Sequence, residues 1–290
     1  MGVARQYRVG PGEIAIAPPA RRPGAVVDQH GLTKRHWEVL WLLAELGALD
    51  TEQVTMLAFG SRPSASRHLS RLNRGGLVWR FVFDDDPTHV AYYEVSSDGL
   101  DALAAYLRRE KRPVPAALGK PFRGQDTVNA FYVGLAAQSR RGPGGLLGWR
   151  RALDTVAWLR GQGIEKVNPR GSGVWVEDGT AVRFLLHVDK PERDEFGDLS
   201  ALPPSQALSG YRQAPRGVPA SVILVVTDQA VRETALHREL IESPLPVPVA
   251  VTTLDRLMWA ADASEPIWSL TTADPADPVR LIEIARRATS

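Results

Sequence analysis

The sequence predicts an α/β protein in two parts, an N-terminal winged helix-turn-helix followed by a mixed-sheet α/β domain. Three observations carry the prediction. From Gly31 onward, three short amphipathic segments follow one another with glycine stops between them. Two strand-like runs joined by an acidic turn come next, and beyond a Pro-rich stretch strand-length apolar runs alternate with helical ones.

Each element has a local cause. In "LTKRHWEVLWLLAELGALD", Thr33 is an N-cap, Trp37, Leu40, Trp41 and Ala44 recur on one face, and Gly47 supplies the stop. "DTEQVTMLAFG" starts at a capping Asp50 or Thr51, buries Val54, Leu57 and Phe59, and ends at Gly60. The third segment, "RPSASRHLSRLNRGG", opens with Pro63 in its first turn, closes at Gly75 or Gly76, and turns Ala65, Leu69 and Leu72 inward. Ser64, Arg67, His68, Arg71 and Arg74 are then expected on its outward face. The strands "LVWRFVF" and "VAYYEVS" flank "DDDPTH", and a further helix follows with Leu100, Leu103, Ala104 and Leu107 inward. Trp37, Trp41 and Trp79 are expected to pack in the core or at its rim.

The order of three helices and a hairpin, with basic residues on the third helix, points to nucleic acid. Arg62, Arg67, Arg71, Arg74 and Arg80 lie in a span without one acidic residue, and this local stripe matters more than the net charge of +2. A helix fits the major groove, Arg bridges a guanine edge in bidentate fashion, and Ser64 at the helix start can bond a phosphate. His68 has no partner at ligand spacing and is expected at the surface or on a phosphate rather than on a metal. The hairpin from Arg80 to His89 would be the wing.

The predicted organisation is a flexible arm over 1–30, a winged helix-turn-helix over 31–111, a linker over 112–124 and the α/β domain over 125–290. In the last, a helix in "DTVNAFYVGLAAQSRR" is followed by a strand around Trp175, an Asp-Gly turn in "EDGT" and the returning strand "AVRFLLHVD". Helices in "SQALSGYRQ", "QAVRETALHRELIES" and "PVRLIEIARRA" alternate with strands "ASVILVVT" and "VPVAVTT", so the late strands are expected to be parallel. Zero cysteines exclude disulfides and thiolate chemistry, and no apolar run reaches membrane-spanning length, so a cytoplasmic protein without membrane contact is expected.

The N-terminal half resembles the replication-relaxation family of actinobacterial plasmids and integrative elements. The resemblance rests on Leu32, Thr33, Thr51, Gln53, Phe59, Arg67, Leu69, Leu72, Gly76, Leu77, Val78 and Arg80, and continues in "PVPVAVTTLDRLMWAADASEPIWSL". It implies a restriction-endonuclease-like fold for the second half, in which a hairpin displays acids that hold magnesium. In this sequence Pro169 is followed by Arg170 where the family has Asp. His187 stands where Glu is usual, Asp189 is retained, and Lys190 replaces Arg. A lone carboxylate beside a histidine is a poor magnesium site, so the domain is expected to be catalytically degenerate. Glu177 and Asp178 read as solvated turn residues at the far end of the strand.

The function these readings predict is that of a DNA-binding protein of a mobile-element replication, transfer or transcription-control system. Double-stranded DNA is the expected partner, with a homodimer or protein contact through the C-terminal domain. No cofactor is required. Two other readings stand beside it. One is a metal-dependent nuclease or nicking protein using His187, Asp189, Lys190 and Mg²⁺; the other is a protein-interaction module, favoured by the acidic wing tip.

Overall fold

The computed structural model describes residues 14–15, 31–82, 90–110, 125–189, 204–215, 217–271 and 277–288. Two compact units divide between residues 125 and 126, and the strand Ile14–Ala15 (β1) belongs to the C-terminal one. That strand lies inside the stretch expected to be a flexible arm; it pairs antiparallel with Trp149 and Gly148.

The N-terminal unit runs α1 (Lys34–Leu46), β2 (Leu49–Asp50), α2 (Thr51–Ala58), α3 (Arg62–Arg74), β3 (Val78–Phe81), β4 (Tyr92–Val95) and α4 (Ser97–Arg109). Capping fixes the helix limits. The Thr33 amide donates to Nδ1 of His36, and Gly47 ends α1 at φ 75°. Asp50 accepts from the Gln53 amide at 2.8 Å while Gln53 Oε1 accepts from the Asp50 amide, a reciprocal box that opens α2. Ser96 accepts from the Gly99 amide and donates to the Gly76 carbonyl, so one hydroxyl starts α4 and ties it to the end of α3.

Leu40, Leu43, Leu49, Val54, Leu69, Leu72 and Leu103 are fully or almost fully buried and form the centre of this unit. Trp37 stacks on Tyr106 of α4 with ring centroids 4.5 Å apart. The strands form a sheet in the order β2-β4-β3, and the two-residue β2 between α1 and α2 is an addition to the predicted elements. Two residues are too short to leave a period-two signal.

The C-terminal unit contains α5 (Gln125–Gln138), β5 (Gly145–Arg151), α6 (Ala152–Gly161), β6 (Gly171–Glu177) and β7 (Thr180–Asp189). A 3-10 helix follows at Pro204–Gln213, then β8 (Val222–Thr227), α7 (Ala230–Glu242), β9 (Val249–Thr253), α8 (Leu254–Trp259), β10 (Ser269–Leu270) and α9 (Leu281–Ala288). The sheet order is β1-β5-β6-β7-β8-β9-β10. β5, β6 and β7 are an antiparallel meander, and β7, β8 and β9 are parallel. Asp178 and Gly179 both take positive φ, 49° and 73°, which gives the tight β6–β7 hairpin the twist of its strands.

Alternation along β7 sends its side chains into two different layers. Leu185 packs with Leu159, Leu208, Tyr211, Ile223, Leu236 and Val251 beneath α6, the 3-10 helix and α7. Phe184 meets Phe131 edge-on at 5.5 Å and Trp149 at 6.3 Å on the α5 side. His187 and Asp189 follow Leu185 at period two and therefore end up on the 3-10 helix and α7 side.

Candidate nucleic-acid interface and the end of the seventh strand

On α3 the buried residues are Ala65, Leu69 and Leu72. At about 100° per residue, the direction opposite them is centred on Arg67 and Arg74 and flanked by Ser70 and Arg71. All four are exposed, as are Ser66 and Asn73. Among the described residues no carboxylate is in ion-pair range of Arg67, Arg71 or Arg74. From Arg67 to Arg74 the helix presents a row of guanidinium and hydroxyl groups about 10 Å long, at 1.5 Å per residue.

Four of the sequence-predicted residues sit differently from expectation. His68 is half-buried rather than outward, with its ring 4.6 Å from that of His36 and 4.7 Å from that of Phe59 and its Nδ1 2.8 Å from the Ser64 carbonyl. Its position on the wheel, next to Leu69 and Leu72, turns it toward α1 and α2. Ser64 is half-buried at the same edge. Arg62 and Arg80 are exposed, and both line a cavity of about 400 Å³ together with Asp50, Glu52 and Tyr93, so two carboxylates at the start of α2 share that cavity with them. Burial raises the pKa of Asp50, and Arg62 opposes that shift.

Ser66 and Ser70 were absent from the predicted face, although both are exposed, and steps of about 100° place Ser70 beside Arg67 and Arg74 on the outward side. Trp79 is 63% exposed at the base of the hairpin, not packed in the core or at its rim. It lies opposite Glu94 in register, on the face of the sheet turned away from Val78. The predicted wing tip, 83–89, lies outside the described residues.

At the end of β7, Asp189 is held by Arg232 of α7. Arg232 Nε donates to Oδ2 at 2.7 Å and Nη2 to Oδ1 at 2.8 Å, a bidentate pair with side-chain exposures of 14% and 18%. The Asp189 bond raises the pKa of Arg232 further. Both carboxylate oxygens are thus engaged, and among the described residues no three His, Asp or Glu side chains converge on a metal position. These residues do not fit magnesium, which needs hard oxygen ligands free to face it. Lys190 lies outside the described residues.

His187 is 4% exposed and its Nε2 is 2.8 Å from the hydroxyl of the fully buried Tyr211. Desolvation by burial, aided by the positive Arg170, pushes its pKa down to about 3, so it is neutral at physiological pH. The unfolded imidazole takes up a proton near 6.5 and the folded one only near 3. Stability from this group is therefore intact above 6.5 and falls as pH is lowered, by about 1.4 kcal/mol per unit through the middle of the window. His187→Gln keeps a partner for Tyr211 but cannot titrate. Denaturant unfolding between pH 4 and 8 is expected to show the variant gaining on wild type as pH falls; a pH-independent difference would contradict the assignment.

Glu177 corrects another expectation. It is 3% exposed, not a solvated turn residue; it pairs with Arg280 at 2.8 Å and accepts from the Trp175 indole at 3.2 Å. Both partners come from outside the turn, which is why the turn sequence gave no sign of them. Asp178 beside it is exposed, 3.6 Å from Arg286.

Three successive helices and a small sheet followed by a fourth helix, with a cationic third helix, make the winged helix-turn-helix architecture of DNA-binding proteins. The chain is 35% identical over 100 residues to the HTH-type transcriptional regulator FarR of Neisseria gonorrhoeae, a match covering 30% of this chain and 68% of that protein. The chain belongs to the HTH-type transcriptional regulators, and the likeness lies in its N-terminal part. Solved structures similar to it include NadR in complex with 4-hydroxyphenylacetate, at 30% identity over 28% of this chain and 57% of that one, TM-score 0.26. MepR, a transcription regulator of the Staphylococcus aureus multidrug efflux pump MepA, matches at 19% identity over 29% and 63%, TM-score 0.25. The chain thus spans about three-fifths of these two crystallised regulators. No family model matches it.

No helix among the described residues is long and apolar enough to cross a membrane.

Proposed function

We propose that this protein is a sequence-specific transcriptional regulator that docks α3 in the major groove of duplex DNA. The observation that carries the reading is the exposed row of Arg67, Ser70 and Arg74 on a 13-residue helix whose opposite face is buried. Arginine supplies bidentate donors for guanine, and serine adapts to base edge or phosphate. Arg62 and Arg80 add positive charge beside one another on the rim of a single cavity of the same unit, and Ser64 stands at the helix start.

The antiparallel meander leading into parallel strands supports reading the C-terminal unit as restriction-endonuclease-like, with its motif strand closed by the Asp189–Arg232 pair. In this reading the unit dimerises or holds a protein partner and cuts nothing. The mobile-element setting is supported by the replication-relaxation resemblance alone. Selection from a random duplex pool by the purified protein tests the proposal: recovery of a shared motif is expected, and a pool left unenriched would sink it. The same selection repeated with Mg²⁺ should return intact duplex, and nicked products would restore the nuclease reading.

A further inference from the structure

The flank of α3 nearer α1 carries two residues of the basic stripe, the half-buried His68 and the exposed Arg71, that make contacts within the protein. Arg71 donates from Nη2 to the carbonyl of Gly31 at 3.0 Å, across forty positions of chain. Gly31 takes φ +63°, a backbone conformation that strains any other residue, and a Cβ placed there would lie 3.0 Å from that same Nη2 and push it aside by a few tenths of an ångström. His68, one turn earlier on the same flank, lies against His36 of α1. His36 in turn accepts the Thr33 amide that opens α1, two residues after Gly31. Burial first, then the neighbouring His68 and Arg71, lowers the pKa of His36 to about 4. A neutral ring is what this arrangement requires, because a charged one would repel Arg71 and lose the lone pair that caps the helix.

We propose that Arg71 is a positioning residue that clasps α3 to the chain entering α1 through the Gly31 carbonyl, leaving direct DNA readout to Arg67, Ser70 and Arg74. The inference rests on the DNA-binding reading and refines it. A guanidinium held by a carbonyl on its own protein fixes the rotation of the helix, and rotation decides which side chains reach base edges.

Arg71→Ala, Arg71→Lys and Gly31→Ala, measured on a selected duplex over a range of salt, separate positioning from contact. Loss of a bond to a charged donor is expected to weaken binding by Arg71→Ala about tenfold, with the salt slope unchanged and any loss of base preference spread evenly over the site. Arg71→Lys, which keeps a donor, recovers most of the loss. Gly31→Ala reproduces the loss without touching DNA, and the double variant Gly31→Ala with Arg71→Ala is no worse than either single one. A slope reduced by about one marks a phosphate contact; preference relaxed at a single base pair marks a base contact. Either result overturns the clasp, and so does unaltered affinity. Should the wild-type protein bind no duplex at all, the functional proposal fails separately. The clasp is then judged by whether Arg71→Ala lowers the melting temperature of the full chain and Arg71→Lys restores it; no change in melting overturns it.

Discussion

Replacing Arg67 and Arg74 together with alanine is expected to weaken binding to a selected duplex by about 2–6 kcal/mol, taking each bidentate contact at 1–3 kcal/mol. Both side chains are exposed on the outward line of α3 and neither helps to bury the core formed by Ala65, Leu69 and Leu72. Their removal should leave folding within about 0.5 kcal/mol of wild type. Anisotropy titrations paired with thermal melts check both halves. A doubly substituted protein that binds as tightly as wild type would show that α3 is not the reading element.

Gly99→Ala is expected to disrupt the winged-helix unit. A Cβ at Gly99 would stand 2.0 Å from the Leu77 carbonyl oxygen and 2.9 Å from Cγ2 of Val95. The carbonyl has no room to retreat, since it already accepts the Ser96 amide at 3.1 Å and sits between the end of α3 and the start of β3. Overpacking of this kind costs about 3 kcal/mol, which outweighs the roughly 1 kcal/mol that alanine gains over glycine in helix propensity. Calorimetry of the full chain should show an early transition, with DNA binding lost across it. A melting profile identical to wild type would mean that α4 does not approach Leu77 as closely as described.

The helices of the N-terminal unit were legible because their limits are written in local chemistry: Thr33 and Asp50 as caps, Pro63 in a first turn, Gly47 and Gly75 as stops. The β6–β7 hairpin was legible for the same reason, through Asp178 and Gly179. β5 and α6 went unread. "GLLGWRR" carries two glycines and two arginines, one of them the buried Arg150 whose guanidinium lies 4.3 Å from the ring centre of Trp158, so apolar alternation is masked. The 3-10 helix at Pro204–Gln213 was expected as an ordinary helix, because Leu208 and Tyr211 repeat at a spacing that both geometries share.

The candidate sites divide along similar lines. Which residues belong to α3 followed from the sequence, but which of them face outward depended on what packs against each flank. His68 and Arg71 fall on the flank next to α1, a neighbour thirty positions away in sequence. For Asp189 the missing information was its partner. Arg232 lies forty-three positions downstream and no motif announces it, yet it fills both oxygens that a metal would need.

The direct test of DNA recognition by the winged-helix unit is the salt dependence of its affinity for a selected duplex. Counterion release by several phosphate contacts should make log K fall linearly with log salt, with a slope of about −0.9 for each phosphate neutralised. A slope of several units that shrinks when Arg67 and Arg74 are replaced is the result expected here. A flat response would contradict DNA recognition and leave the unit as a protein-binding module.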